Sequence, residues 1–345
     1  MDRLEASLGD VARATGFSGA VRIDDRSGPR VAAAYGLADR RCGVPNTVDT
    51  RFAIASGVKG LTALTVMALV ERGDLTLDTA ARSVLGTDLP LIDDAVTVEQ
   101  LMAHRSGIGD YQDEDSGFDV DDYLIPVPVH ELANTEQYLP VLGGHSQKFP
   151  PGERFSYCNG GFVVLALIAE RRGGAPFAEL MRELVCAPAG MAHTEFLRSD
   201  ELPGDAAIGY LAADRPRTNV FHLLSHLSPH LTHLPVVGSG DGGSYVTVAD
   251  VHSLWEALDA GRVVPRARVA QMLRWSSDVP TESKRYGLGF WLHATGPAVI
   301  LEGMDAGVSF QSHHDAGEGL TWTVVSNTTD GAWPIVRHLR EVLSA

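Results

Sequence analysis

A serine three residues ahead of a lysine is the first pairing in this chain that could do chemistry. Ser56 and Lys59 lie in "FAIASGVKGLTALTVMALVERG", residues 52–73. Lys and Arg together number 28, yet lysine occurs only at 59, 148 and 284. On a helix, positions i and i+3 share a face. A serine hydroxyl is a weak nucleophile until a base takes its proton. A lysine amine can be that base once burial and the positive end of a helix dipole depress its pKa. Arginine cannot, because its guanidinium stays protonated. The apolar spacing predicts a helix of about five turns here, with "RFAIA" as a strand leading into it. Such a helix start would aim backbone N–H groups at an oxyanion formed beside Ser56. Ser-x-x-Lys alone recurs by chance, so its neighbours decide its meaning.

The elements that must position this pair can be read along the chain. "LEASLGDVARATG" predicts an amphipathic helix, and "SGAVRIDD" and "RVAAAYGLAD" a strand hairpin joined at "RSGP". "TVEQLMAHRSGI" predicts a helix capped at Thr97, and "GFVVLALIAERRGG", "FAELMRELVCAPAG" and "VADVHSLWEALDAG" predict three more helices. From 286 the period changes: "YGLGFWLHA", "AVILEGMD", "GVSFQSHH" and "TWTVVSNT" predict four strands, before a closing helix in "WPIVRHLREVLSA". Strands at both ends around a helical middle predict one sheet domain from residues 1–75 and 245–345, with a helical region, 76–244, inserted.

Composition bounds the partners. The 345 residues are 44% hydrophobic and 21% charged, which suits a globular fold with a substantial core. A formal net charge of −16 argues against a nucleic-acid partner. The longest apolar runs, such as "FVVLALIA", are too short to span a bilayer, and "MDRLEASLGD" carries no signal-peptide pattern. With Cys42, Cys158 and Cys186 as an odd, sparse set, the expectation is a reduced, cytoplasmic protein, although a chain trimmed of an export signal would read the same.

Several segments together resemble the serine β-lactamase and penicillin-binding-protein superfamily, in its class C-like branch. That branch includes family VIII carboxylesterases and D-amino-acid peptidases. "ASGVKGLTAL" resembles the nucleophile helix, and "TVEQLMAHRSGIGDY" resembles the "LLxHTSGL" turn. "FPPGERFSYCNGGFVVLALIAE" is similar to "PGxxFxYSNxGYxLLGxIIE", and "GSGDGGSYVTVADVHSL" to "AGGLxSTAxDLAxF". The likeness runs in order over nearly the whole chain. It implies an α/β (α+β) fold with an antiparallel sheet of about five strands flanked by helices. It implies that Ser56 is the acylated nucleophile, Lys59 its proton acceptor, and Tyr157 a partner in acid–base work that activates the deacylating water. A tyrosine could be a base near neutrality only if cations depress its pKa, and Lys59 is the candidate for that. Asn159 matches the asparagine that bonds the lysine and the substrate. No cofactor is implied.

The third motif departs from the family pattern of Lys-Thr-Gly or His-x-Gly. Here it reads Leu301-Glu302-Gly303. Gly303 keeps the close backbone approach, and Met304 would supply the second oxyanion N–H, a role that needs only backbone. Leucine cannot hold a substrate carboxylate or tune the tyrosine. The departure favours a neutral ester or amide over a β-lactam or D-peptide. Glu302 would repel an anion, unless strand alternation turns it away from the cleft. A catalytically inactive binding protein and a biosynthetic transesterase are the other readings.

Other signals are weaker. His222, His226, His230 and His233 include a four-residue spacing suited to a metal, but Pro229 breaks the helix this needs. They read better as cleft lining or a solvated loop. "GGHSQK" around Ser146 lacks the second glycine and helix of a nucleophile elbow. His104 is structural by the resemblance, and "HHDAGEG", with His313 and His314, reads as a turn.

Overall fold

Alternating side chains in the last third of the chain split two apolar layers and build the centre of one sheet. The computed structural model describes residues 3–117, 120, 123, 125–211 and 234–343. Its strands are β1 (Gly19–Asp25), β2 (Gly28–Tyr35), β3 (Leu37–Asp39), β4 (Val44–Pro45), β5 (Phe52–Ala53), β6 (Glu195–Phe196), β7 (Ser244–Val246), β8 (Ser277–Val279), β9 (Lys284–Tyr286), β10 (Trp291–His293), β11 (Val299–Asp305), β12 (Val308–Asp315) and β13 (Leu320–Ser326). Its α-helices are α1 (Arg3–Thr15), α2 (Val58–Arg72), α3 (Arg82–Leu85), α4 (Val98–Met102), α5 (Leu139–Leu142), α6 (Asn159–Gly173), α7 (Phe177–Met181), α8 (Ala187–Ala189), α9 (Val248–Ala260), α10 (Arg266–Met272) and α11 (Ala332–Leu343).

The main sheet runs β2-β1-β13-β12-β11-β10-β9-β8, antiparallel throughout. Eight strands replace the five or so expected. The extra ones, β8, β9 and β10, are three residues each, too short to show a period of two. "YGLGFWLHA" is therefore two strand ends around a turn. Gly289 makes that turn at φ +84°, where an added Cβ would lie 2.2 Å from the Ala63 Cβ. His313 and His314 close the strand expected in "GVSFQSHH", and the turn expected in "HHDAGEG" begins later than read. Both lie inside β12, with the turn after it.

Successive residues of a strand face opposite layers. Val324 joins Leu8, Ile335 and Leu339 beneath α1 and α11, while Val325 joins the larger core against α2, α6 and α9. Within that core α2 is buried from Val58 to Leu69 and α6 from Asn159 to Ala169. Helices enclosed on every side read as continuous apolar runs without a polar stripe. At about four turns, α2 is shorter than predicted, because β5 and a 3-10 turn, Ala55–Gly57, take up its expected start. Thr97 caps α4 through a reciprocal capping box with Gln100, as the sequence predicts. Among the described residues no helix is long and apolar enough to cross a membrane.

Candidate active site

Ser56 sits in the 3-10 turn that joins β5 to α2. Ala55 before it holds φ +44°, a left-handed conformation that an alanine adopts only at a strain of about 1–2 kcal/mol. β5 pairs with β7 through Phe52↔Val246 and Ala53↔Tyr245, and the Ile54 N–H donates to the Ser244 carbonyl at 3.1 Å. The turn is pressed against the sheet. A Cβ on Gly57 would meet Phe310 at 2.6 Å, and one on Gly60 would meet Leu301 at 2.4 Å. Gly303 of β11 comes closest, since a Cβ there would lie 2.6 Å from the Ser56 nitrogen and 2.3 Å from the Ile54 oxygen.

Lys59 is 2% exposed. Its Nζ lies 2.8 Å from Ser56 Oγ, 2.8 Å from Asn159 Oδ1 and 2.8 Å from the Asp241 carbonyl oxygen. The Asn159 amide is oriented by its Nδ2, which donates to the Gln112 carbonyl at 3.1 Å and to Glu114 Oε1 at 3.2 Å. Two acceptors thus take two N–H bonds of the amine, and its third direction points at Ser56. In the neutral amine that direction is the lone pair. Burial pushes the Lys59 pKa down, and it outweighs the carboxylates of Asp241, Glu114, Asp110 and Asp305, which push the other way.

The Tyr157 phenol is near enough to Ser56 for that hydroxyl to pull its pKa down slightly, against larger opposing effects. Lys59 Nζ stands 5.0 Å from the centre of its ring. The expectation of a phenol depressed by Lys59 does not hold. Burial pushes the Tyr157 pKa well up, and the Glu114 carboxylate adds to that. The phenol is a proton donor at neutral pH. His104, buried and held neutral by burial, fixes this segment: its Nδ1 accepts the Cys158 N–H at 3.0 Å, and its ring lies 4.2 Å from that of Tyr157. Cys158 caps α6, its Sγ accepting from the Gly161 N–H at 3.3 Å.

Sequence reading missed the groups that hold these side chains. Asp110 accepts the Asn159 and Gly160 N–H groups, at 2.6 and 2.8 Å, where α6 begins. Burial pushes its carboxyl up to about 6 against those two bonds. The Tyr111 hydroxyl donates to Asp241 Oδ2 at 2.5 Å. "GSGDGG" threads between α2 and α6, with Thr62 Oγ1 donating to the Gly240 carbonyl at 2.6 Å. A Cβ on Gly240 would lie 2.3 Å from the Phe162 oxygen, so the loop passes only as glycine. Both "GDY" and "GSGDGG" were visible as motifs, but nothing in their spacing tells which atoms meet Lys59.

In the third motif Leu301 is 3% exposed and packed on α2. Glu302 is among the residues lining the cleft, and its carboxylate is paired with Lys284. Met304 is 45% exposed and lines the same space. The cleft, about 1040 Å³, has Ser56, Tyr157 and Asn159 on its wall. Among the described residues that line it, seven are acidic (Glu114, Asp115, Asp241, Glu282, Glu302, Asp305 and Asp330) and one, Arg154, is basic. Ser146 lies in a loop with no strand leading into it. His222, His226, His230 and His233 fall outside the described residues. Elsewhere, no described group of His, Cys, Asp and Glu is arranged to hold a metal ion.

Known proteins share this arrangement of elements. The family model described as Beta-lactamase matches residues 1–345. Esterase EstB of Burkholderia gladioli is 33% identical over 308 residues, covering 84% of this chain and 78% of that protein. A D-aminopeptidase of Brucella anthropi is 26% identical over 320 residues, and the match spans 90% of this chain but only 56% of that protein. The crystal structure of a penicillin binding protein from Bacillus halodurans superposes with a TM-score of 0.88 at 30% identity, over 97% of this chain and 99% of that one. A whole-length family match, a relative one-third identical and a shared fold agree with the motifs around Ser56: the chain belongs to the Beta-lactamase family.

Proposed function

We propose that the protein is a serine hydrolase that forms an acyl-enzyme on Ser56 and acts on carboxylic esters or amides. The observation that carries this is the placement of Lys59 Nζ 2.8 Å from Ser56 Oγ, with its other two directions taken by carbonyl oxygens. Neutral Lys59 accepts the Ser56 proton as Oγ attacks the carbonyl carbon. The oxyanion rests on the N–H groups of Ser56 and Met304, where Gly303 brings β11 against the turn. Tyr157 gives its proton to the leaving group and regains one from Lys59, which returns to the neutral amine. Water then attacks the acyl carbon. Its proton passes to Lys59 through Tyr157, and Ser56 is reprotonated as the acid leaves. Tyr157 works throughout as a phenol, in keeping with its raised pKa.

The buried Leu301 supports an ester or amide without a carboxylate at the third motif. A second reading, an amidase for acyl groups that carry a free amine, is favoured by the seven acidic residues around the cleft. It also has a D-aminopeptidase among its relatives. A panel of p-nitrophenyl esters, nitrocefin and D-amino-acid amides tests the reading. Cleavage of short neutral esters, lost in Lys59→Ala and impaired in Tyr157→Phe, is expected. Nitrocefin turnover above ester turnover would favour a β-lactamase. No turnover and no trapped adduct on any substrate would leave a binding protein.

A further inference from the structure

The residue beside Leu301 points to how the cleft treats charge. Glu302 sits on β11 opposite Gln311 of β12, and it is one of the residues that line the cleft. Lys284 of β9 places its Nζ 2.6 Å from Glu302 Oε1, with side chains 10% and 21% exposed. The Gln311 amide donates to Glu302 Oε2. That amide is oriented in turn by Arg340, which donates to Gln311 Oε1 at 3.0 Å. Both oxygens of Glu302 are therefore held. The Lys284 ammonium also lies 5.1 Å from the centre of the Trp291 ring, and Trp291 stacks on Tyr157 at 6.0 Å and 7°. Glu282 is a looser second anion, at 3.8 Å from Nζ and half exposed.

A cation is therefore present beside the third motif, delivered by a neighbouring strand rather than by residue 301. It is neutralised where it stands. A partly buried ammonium with a carboxylate at hydrogen-bonding distance has little affinity left for another anion. We propose that Glu302 is the specificity-determining residue of this cleft: by latching Lys284 it withholds the cation that a carboxylate-bearing acyl group would need, so the enzyme discriminates against anionic substrates. This deepens the serine-hydrolase reading and rests on it.

The test compares p-nitrophenyl butyrate with p-nitrophenyl hemisuccinate, which share the leaving group and chain length and differ by a terminal carboxylate. The quantity read is the ratio of kcat/KM, hemisuccinate over butyrate. Wild type gives a low ratio. Glu302→Gln frees Lys284 and raises it by at least about tenfold, the effect of one charge-assisted hydrogen bond. In Glu302→Gln with Lys284→Met the gain disappears. Lys284→Met alone leaves Glu302 unpaired and lowers the ratio further. An unchanged ratio in Glu302→Gln overturns the proposal. So does a gain that survives in the double variant, since Lys284 would then play no part. Calorimetric binding of hemisuccinate ester to Ser56→Ala, with and without Glu302→Gln, reads the same latch without turnover. If no ester is cleaved, the hydrolase reading fails on its own. Tighter hemisuccinate binding in the second protein then supports the latch, and equal binding overturns it.

Discussion

Replacing Asn159 by leucine separates two effects that most active-site variants confound. Leucine keeps the branched outline, though not the smaller volume, of a side chain that is 4% exposed, and it removes the Oδ1 that accepts from Lys59 at 2.8 Å. An acceptor stabilises the ammonium more than the amine, so its loss favours the neutral form. A hydrogen bond to a charged group is worth about 1.5–3 kcal/mol, and each 1.36 kcal/mol moves a titration by one pH unit. The acid limb of kcat/KM reports Lys59 losing its proton in the free enzyme. In Asn159→Leu that limb moves to lower pH by about 1–2 units. Above the limb the rate falls about 10- to 100-fold, because one of the two anchors that aim the lone pair at Ser56 is gone. The assay is a pH profile of ester hydrolysis for both proteins. A limb that stays in place, or moves to higher pH, would refute the assignment of Lys59 as the neutral base.

Two further outcomes follow from packing and charge. Gly303→Ala would set a Cβ 2.3 Å from the Ile54 oxygen and 2.6 Å from the Ser56 nitrogen. The turn and β11 must separate, so esterase activity falls by about 100-fold or more, and chemical denaturation shows a loss of about 1–3 kcal/mol. On β1, burial pushes the Asp24 carboxyl up, but hydrogen bonds from His252 and Arg22 prevail and hold it at about 2, below its ordinary 3.8. Its contribution to stability is present above pH 3.8 and lost as pH falls through about 2, so Asp24→Asn shows a shallower loss of stability in that window.

What the sequence made legible was local. Ser56 and Lys59 are one helical turn apart and could be found from their spacing, whereas Tyr157 and Asn159, at the start of α6, carried a role only through the family resemblance. Both acceptors that aim Lys59 come from distant segments: Asn159 lies 100 residues away and the Asp241 carbonyl 182. A backbone carbonyl carries no residue-type signal. The Lys284–Glu302 pair is likewise a product of strand order, since β9 reaches β11 only across β10. Strands β8 to β10, at three residues each, were too short to show a period. The raised Tyr157 pKa depends on burial, which a sequence does not display, and it runs against the depression by Lys59 that the sequence suggested.

Covalent labelling tests the central claim most directly. The protein is incubated with a fluorophosphonate, weighed intact and mapped by peptide. One adduct per chain on Ser56, absent from Ser56→Ala and formed much more slowly in Lys59→Ala, is the predicted result. Equal labelling of wild type and Ser56→Ala, or an adduct mapped to another residue, would contradict it.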